Sequence, residues 1–188
     1  ARNKVGYWNP PGNANTQPGV FGYTGLSTTG TVTSRTIATT NIFTQMRRLG
    51  FVSSATAGNL AVARVQYAQV AVGNGSGVGG FYKICRFGCS DAATVAGARQ
   101  FVGMSSSTSA PSNVEPSTLT NVIGVGHGAS DTNLKMYCGG SSAQTPVDLG
   151  SNFPANTLSA DAYELALYSS STDSTHIYWE GTRINTGD

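Results

Sequence analysis

Charge is the scarcest ingredient of this 188-residue chain. Asp, Glu, Lys and Arg make up 11% of it, against about 25% in an average soluble domain. The formal net charge is +2, and the cations form no run, so there is no electrostatic footprint for nucleic acid. Solubility is left to hydroxyl groups, or to burial of surface in an assembly. No apolar stretch approaches the length of a membrane span. No apolar segment follows Arg2 and Lys4, so no secretory leader is expected. The first residue, Ala1, is either what remains after Met removal or not the natural start.

Histidine and cysteine are also scarce. Hydrolytic triads need a base beside a nucleophile and an orienting acid. His127 and His176 are the two imidazoles, and neither lies near a G-x-S-x-G elbow. His127 is expected in a hairpin bend and His176 on an outward strand face. Three cysteines cannot form a complete disulfide framework. Cys85 and Cys89 are four apart, about 13 Å along a strand, too far to bond to each other. Cys138 could meet one of them, but buried reduced thiols are the expectation. Cys85-x-x-x-Cys89 with distant histidines is a poor metal motif. Asp131 and Asp173 stand alone, which argues against a calcium loop. No metal and no cofactor is expected. Gly75, Gly77 and Gly80 spell G-x-G-x-x-G, but a strand follows where a dinucleotide fold needs a helix, and position 100 is Gln rather than an acid. Asn74-Gly75-Ser76 is a formal glycosylation sequon, of little meaning without a secretory leader.

What is abundant is Gly, with 24 residues, and Ser plus Thr, at about forty, a mixture that suits short strands and many turns. The chain is long enough to bury a core. The expected fold is an all-β antiparallel β-sandwich, jelly-roll or lectin-like. Residues 1–30 are expected as an extended N-terminal arm and residues 31–188 as the β-sandwich domain. The arm carries Tyr7, Trp8, Phe21 and Tyr23 among Gly, Pro and Asn. That is too aromatic for a free linker, so these four residues are candidates for packing against the same domain, a neighbouring subunit or a larger particle.

Alternation marks the strands. Phe81–Cys89 and Arg99–Met104 are expected as a central antiparallel pair, joined by one helical turn capped at Ser90 or Asp91 and ended at Gly97. Thr31–Thr40 and Leu60–Val72 read as strands, and Asn41–Val52 is open between helix and strand. Glu115-Pro116-Ser117 starts a single helical turn. Asn121–His127 and Asn133–Cys138 form a hairpin, with something packed close to Gly124 and Gly126. Val147–Leu149, Asp161–Ser169 and Thr175–Ile184 complete the set. Tyr163, Leu165 and Leu167 share one face of their strand.

A glycosidase needs two carboxylates flanking a bond. Glu164 and Glu180 lie on strands that could be neighbours and could form such a pair. They could equally pair with Arg86, Arg99 or Arg183 across a sheet. Tyr168, Tyr178 and Trp179 are candidates for carbohydrate or receptor contact, as apolar platforms with polar tips. Core or interface packing is the ordinary role of such residues. On this reading no residue is assigned to catalysis, and the chain is not expected to be an enzyme.

Several strings are specific enough to suggest a family. They are Arg99-Gln-Phe-Val-Gly103, Asn113 to Gly126, Asp148-Leu-Gly150, Asn152-Phe-Pro154 and Tyr163-Glu-Leu165, with Thr40 to Val52 upstream. Together they resemble a family of virion structural proteins of tailed bacteriophages, described as tail-fibre or tail-spike-like, across roughly residues 31–185. The resemblance implies a virion component, assembled in the host cytoplasm as a homo-oligomer, with a trimer favoured. Its partners would be copies of itself, other virion proteins and a host-surface glycan. It implies no catalytic residues. A carbohydrate-binding module, a polysaccharide depolymerase and a capsid decoration or head-fibre protein are the alternatives on the same scaffold. Members of the family continue past the strand that ends near Ile184, whereas this chain stops at Asp188. The expected sandwich is therefore completed by another chain or cut short, and an incomplete sheet leaves an open edge.

Overall fold

The computed structural model describes residues 27–65, 68, 70–157 and 160–186. Tyr7, Trp8, Phe21 and Tyr23 lie outside the described residues, as do Gln66, Tyr67 and Gln69 of the expected Leu60–Val72 strand.

The described chain is all-β and antiparallel. Two sheets face each other. One has the order β11-β10-β5, with β5 at Phe81–Phe87, β10 at Tyr163–Ser169 and β11 at Tyr178–Arg183. The other is a meander of β6 (Gln100–Ser105), β7 (Val122–His127), β8 (Lys135–Gly139) and β9 (Val147–Asp148). Two small ribbons precede them. β1 (Ser27–Thr29) pairs with β4 (Val62–Arg64), and β2 (Thr31–Arg35) pairs with β3 (Arg48–Val52). Residues 27–29, within the expected arm, are thus strand-paired.

One core joins the two sheets. Phe87, Tyr163, Leu165 and Leu167 from the first sheet pack with Val125, Leu134 and Met136 from the second side, closed by Cys89 and Ala155. The reason is the period of β10. Tyr163, Leu165 and Leu167 are almost fully buried while Tyr168, on the alternate face, is exposed. Tyr163 stacks near Phe87 and Phe153, with centroids 5.6 and 6.2 Å away. Its hydroxyl donates to the Pro154 carbonyl at 2.6 Å, which removes the cost of burying a polar tip.

The expected central pair is corrected. β5 pairs with β10, and β6 pairs with β7, so the two strands lie in opposite sheets. Hairpin pairing favours connections of about two to five residues. Residues 88–99 make a longer connection that crosses from one sheet to the other. The expected helical turn at 90–96 is also absent. This segment is bends and one turn, in which Ala98 N–H donates to the Val95 carbonyl. The crossing is held at its ends, where Cys89 Sγ donates to Gln100 Oε1 at 2.9 Å.

Among the described residues of Leu60–Val72, β4 is the strand, and Asn41–Val52 divides. Asn41 and Thr44 exchange side chain to backbone hydrogen bonds, which close a turn before β3. The 121–138 hairpin forms as expected. The single turn after Glu115 is a 3-10 turn at Pro116–Thr118. Gly124 is needed where it stands. A Cβ there would lie 2.7 Å from the Phe101 ring and 2.5 Å from the Val102 carbonyl, closer than packed atoms approach.

Candidate functional site

Two surfaces gather chemistry. The first is the outer face of the β11-β10-β5 sheet. Tyr168 is opposite Tyr82 on β5 and opposite Tyr178 on β11. The three side chains therefore form one row across three strands, spanning about 10 Å at the usual strand spacing. All three are exposed, at 66% for Tyr82, 47% for Tyr168 and 55% for Tyr178. The Tyr168 and Tyr178 rings are 6.2 Å apart, and the His176 ring lies 6.2 Å from that of Tyr178. His176 is held by its own turn, with Nδ1 2.8 Å from Asp173 Oδ2. Hydrogen bonds from Thr175 and His176 push the Asp173 carboxyl well below the usual range. Ile84, also exposed, lies in the next row.

The structure separates the third expected aromatic from this row. Trp179 is opposite Leu167, so it sits on the core-side face of β11, at the rim of the sandwich and still partly exposed. Strand alternation is the reason: adjacent residues Tyr178 and Trp179 must point to opposite faces. Glu164 and Glu180 do share the outer face, on adjacent strands. Glu164 accepts from Arg86 Nε at 2.6 Å, which is the cross-strand pairing weighed against catalysis above. Arg86 is mostly exposed, so this pair is worth little to stability.

The second surface was not legible as a site in the sequence. A cavity of about 150 Å³ opens beside the turn between β7 and β8, lined by Glu115, Ser117, residues 128–131, Lys135, Tyr137 and Pro146. Asp131 anchors it. Its Oδ2 accepts from the Gly128 N–H at 2.8 Å and its Oδ1 from Lys135 Nζ at 2.6 Å. Glu115 comes from the entry to the 3-10 turn. Its Oε1 accepts from Arg99 Nε at 2.7 Å and its Oε2 from the Ala129 N–H at 3.2 Å. Arg99 also donates to Asn113 Oδ1 at 2.9 Å. His127, buried beneath the turn, has Nδ1 3.0 Å from the Gly128 carbonyl, which fixes the proton on that nitrogen. Expected in the hairpin bend, His127 instead ends β7 and pairs with Gln100 of β6.

Burial raises the pKa of Asp131, but the hydrogen bonds from Lys135 and the Gly128 N–H, with the Lys135 charge, outweigh it and hold the carboxyl below its ordinary value. A depressed folded pKa adds stability above the unfolded pKa and loses it as pH falls through the folded one. Protection factors at Gly128 to Asp131, exchange rates corrected for the intrinsic pH dependence of amide exchange, are therefore expected to be flat from pH 7 down to about 4, the unfolded carboxyl range, and to fall below it. Asp131→Asn removes that acid-dependent step, and a step that survives the substitution assigns it to another group.

The sulfur chemistry is quiet. Burial pushes the Cys89 thiol up to about 12, helped by the Asp91 and Asp161 charges. Burial also raises Cys85, against a smaller lowering by Lys83. Neither is an activated nucleophile. Cys85, Cys89 and Cys138 are all free. Among the described residues, no group of three or more His, Cys, Asp or Glu side chains is placed to hold a metal ion, and no helix is long and apolar enough to cross a membrane.

The pocket escaped sequence reading because its lining comes from four separate places in the chain, the 3-10 turn and its entry, the β7–β8 turn, β8 and the segment before β9. The usable signal was the hairpin itself, which puts Asp131 and Lys135 in its turn and at the start of its second strand. No protein-family model, no curated protein and no solved structure matches the chain.

Proposed function

We propose that the chain is a non-catalytic virion module of tailed bacteriophages, of the fibre or spike type, that assembles as a homo-oligomer and adheres to a host-surface glycan. The observation that carries this reading is the in-register row of Tyr82, Tyr168 and Tyr178, exposed on a sheet face. Tyrosine rings offer an apolar face to the C–H side of a sugar and a hydroxyl to its rim. Three in a row match an extended chain of sugars better than a single ring. The motif resemblance supplies the virion setting, and a fold made of short strands and hydroxyl-rich turns suits such a part.

Catalysis is disfavoured on the same face. Glu164 is engaged by Arg86, and the carboxylates stand on a sheet surface rather than around a cleft, as glycoside hydrolysis needs.

The test is binding of purified protein to host cells, with solution mass measured by light scattering. Tyr168→Ala/Tyr178→Ala is expected to weaken cell binding about tenfold or more, taking on the order of 1 kcal/mol per ring. Trp179→Ala, on the other face of β11, leaves binding within about twofold. A mass of three chains is expected. Unchanged binding by the double variant removes the adhesion face, and a monomer at all concentrations removes the fibre or spike reading.

A further inference from the structure

We propose that the cavity at the β7–β8 turn is a second binding site, taking one neutral polyhydroxylated unit of the size of a single pyranose ring. The cavity volume of about 150 Å³ is right for one such ring and too small for a chain of them. Its charge decides the class of ligand. Both carboxylates already hold a cation, Asp131 with Lys135 at 2.6 Å and Glu115 with Arg99 at 2.7 Å. A divalent cation would have to displace those partners and strip its own water. An anion would face two carboxylates across a small space. A neutral ligand meets neither penalty.

The wall then matches hydroxyl groups. Each carboxylate offers about four acceptor sites, and Glu115 fills two of them with Arg99 and the Ala129 N–H. Lys135 spends one of its three ammonium protons on Asp131. The hydroxyls of Ser117 and Ser130 donate and accept as required. A sugar hydroxyl also does both, so alternating donors and acceptors suit it better than any ion. Ala129 and Pro146 give the apolar patch for a C–H face.

The site is built before the ligand arrives. The Gly128 and Ala129 N–H groups fix the two carboxylates, so little rotamer freedom remains to be lost on binding. Gly128 lets both come close. A Cβ there would lie 2.6 Å from Glu115 Oε2 and 3.0 Å from Asp131 Oδ2. The site is built on the 3-10 turn and its entry, the β7–β8 turn, β8 and the segment before β9, whereas the tyrosine row stands on the other sheet, so either can fail without the other.

The experiment is a nitrogen-15 NMR titration of the whole chain with D-glucose, D-galactose, D-mannose and N-acetyl-D-glucosamine, one at a time. At least one sugar is expected to give saturable shifts of the Gly128, Ala129, Ser130, Asp131 and Lys135 amides, with a millimolar dissociation constant, as befits so small a ligand. Glu115→Gln, which keeps the shape and loses the charged acceptor, is expected to weaken that sugar about tenfold. Should Glu115→Gln disturb the dispersed spectrum, Ser117→Ala/Ser130→Ala replaces it, with a loss of about threefold or more expected. The proposal is overturned by no saturable shift at these amides with any of the four sugars, by shifts confined to the Tyr82, Tyr168 and Tyr178 face, by sugar affinity indifferent to the variant used, or by saturation of the same amides with calcium chloride or sodium sulfate.

Discussion

Leu165→Ala is expected to cost about 2–5 kcal/mol of unfolding free energy, the range for deleting a fully buried leucine and leaving a cavity. Leu165 has no exposed surface and stands in the middle strand of its sheet, between Cys85 of β5 and Gly181 of β11. Its side chain is part of the cluster that joins the two sheets. Neighbours on both sides are fixed by strand pairing, so collapse into the void is limited and the cost should fall in the upper half of the range. In a domain of this size each kcal/mol moves the midpoint by about 2–4 °C, so a drop of about 7–20 °C is expected by calorimetry. Ile84→Ala is the control. Ile84 points to the outer face and is 46% exposed, so its loss should stay under about 1 kcal/mol. Equal costs for the two substitutions would mean that β5 and β10 do not present opposite faces to core and solvent.

Asp161→Ala should cost about 3–5 kcal/mol, because it leaves a largely buried guanidinium without its counter-ion. Asp161 is 4% exposed. It accepts two hydrogen bonds from Arg183 Nη2, at 3.0 and 3.1 Å, and one from Asn185 Nδ2 at 2.5 Å. Asn185 in turn accepts from the Ala162 N–H, and Ile184 N–H donates to the Ala162 carbonyl. The cluster thus ties the start of β10 to the end of β11. Arg183 Nε is already buried without a hydrogen-bond partner, so the residue has little left to lean on except Asn152, whose carbonyl accepts from Nη1. The Asp161→Leu/Arg183→Met double variant separates attraction from desolvation. It removes both charges and keeps apolar bulk, and is expected to be more stable than Asp161→Ala by at least about 1 kcal/mol. Urea denaturation of the three proteins checks this. A double variant as unstable as the single one would show that packing around the cluster, not the stranded charge, sets the cost.

The strands that sequence located best are those whose two faces differ most. In Tyr163–Ser169 the inward residues are Tyr, Leu and Leu and the outward ones Glu, Ala and Tyr, so the two faces could be read from the chain. Thr175–Ile184 carried the same signal, though the paired strand starts at Tyr178. Partners were harder. Phe81–Phe87 and Gln100–Ser105 are neighbours in sequence, and neighbouring strands usually pair. Here twelve intervening residues let the chain change sheets, and nothing local encodes that choice. It is made by the burial of Phe87 against Tyr163 and of Val125 against Leu134 and Met136 in one cluster.

The candidate sites divide in the same way. Tyr168 and Tyr178 were legible as candidates on clearly alternating strands, and it is the β10–β11 pairing that sets them opposite each other. Tyr82 joins them only through the long-range β5–β10 pairing, and Trp179 leaves them by simple parity. The pocket around Gly128 depends on Glu115, Asp131 and Arg99 meeting from distant segments, and single-chain periodicity carries no such information.

Finally, the elevated thiol pKa values of Cys85 and Cys89 bear on the conditions that the folded protein tolerates. Exchange and oxidation proceed through the thiolate, which burial disfavours at both positions in the folded protein. With no bridge to make or break, folding asks for no oxidant and no isomerase. The same fold can be reached under reducing conditions, because none of Cys85, Cys89 and Cys138 is bridged.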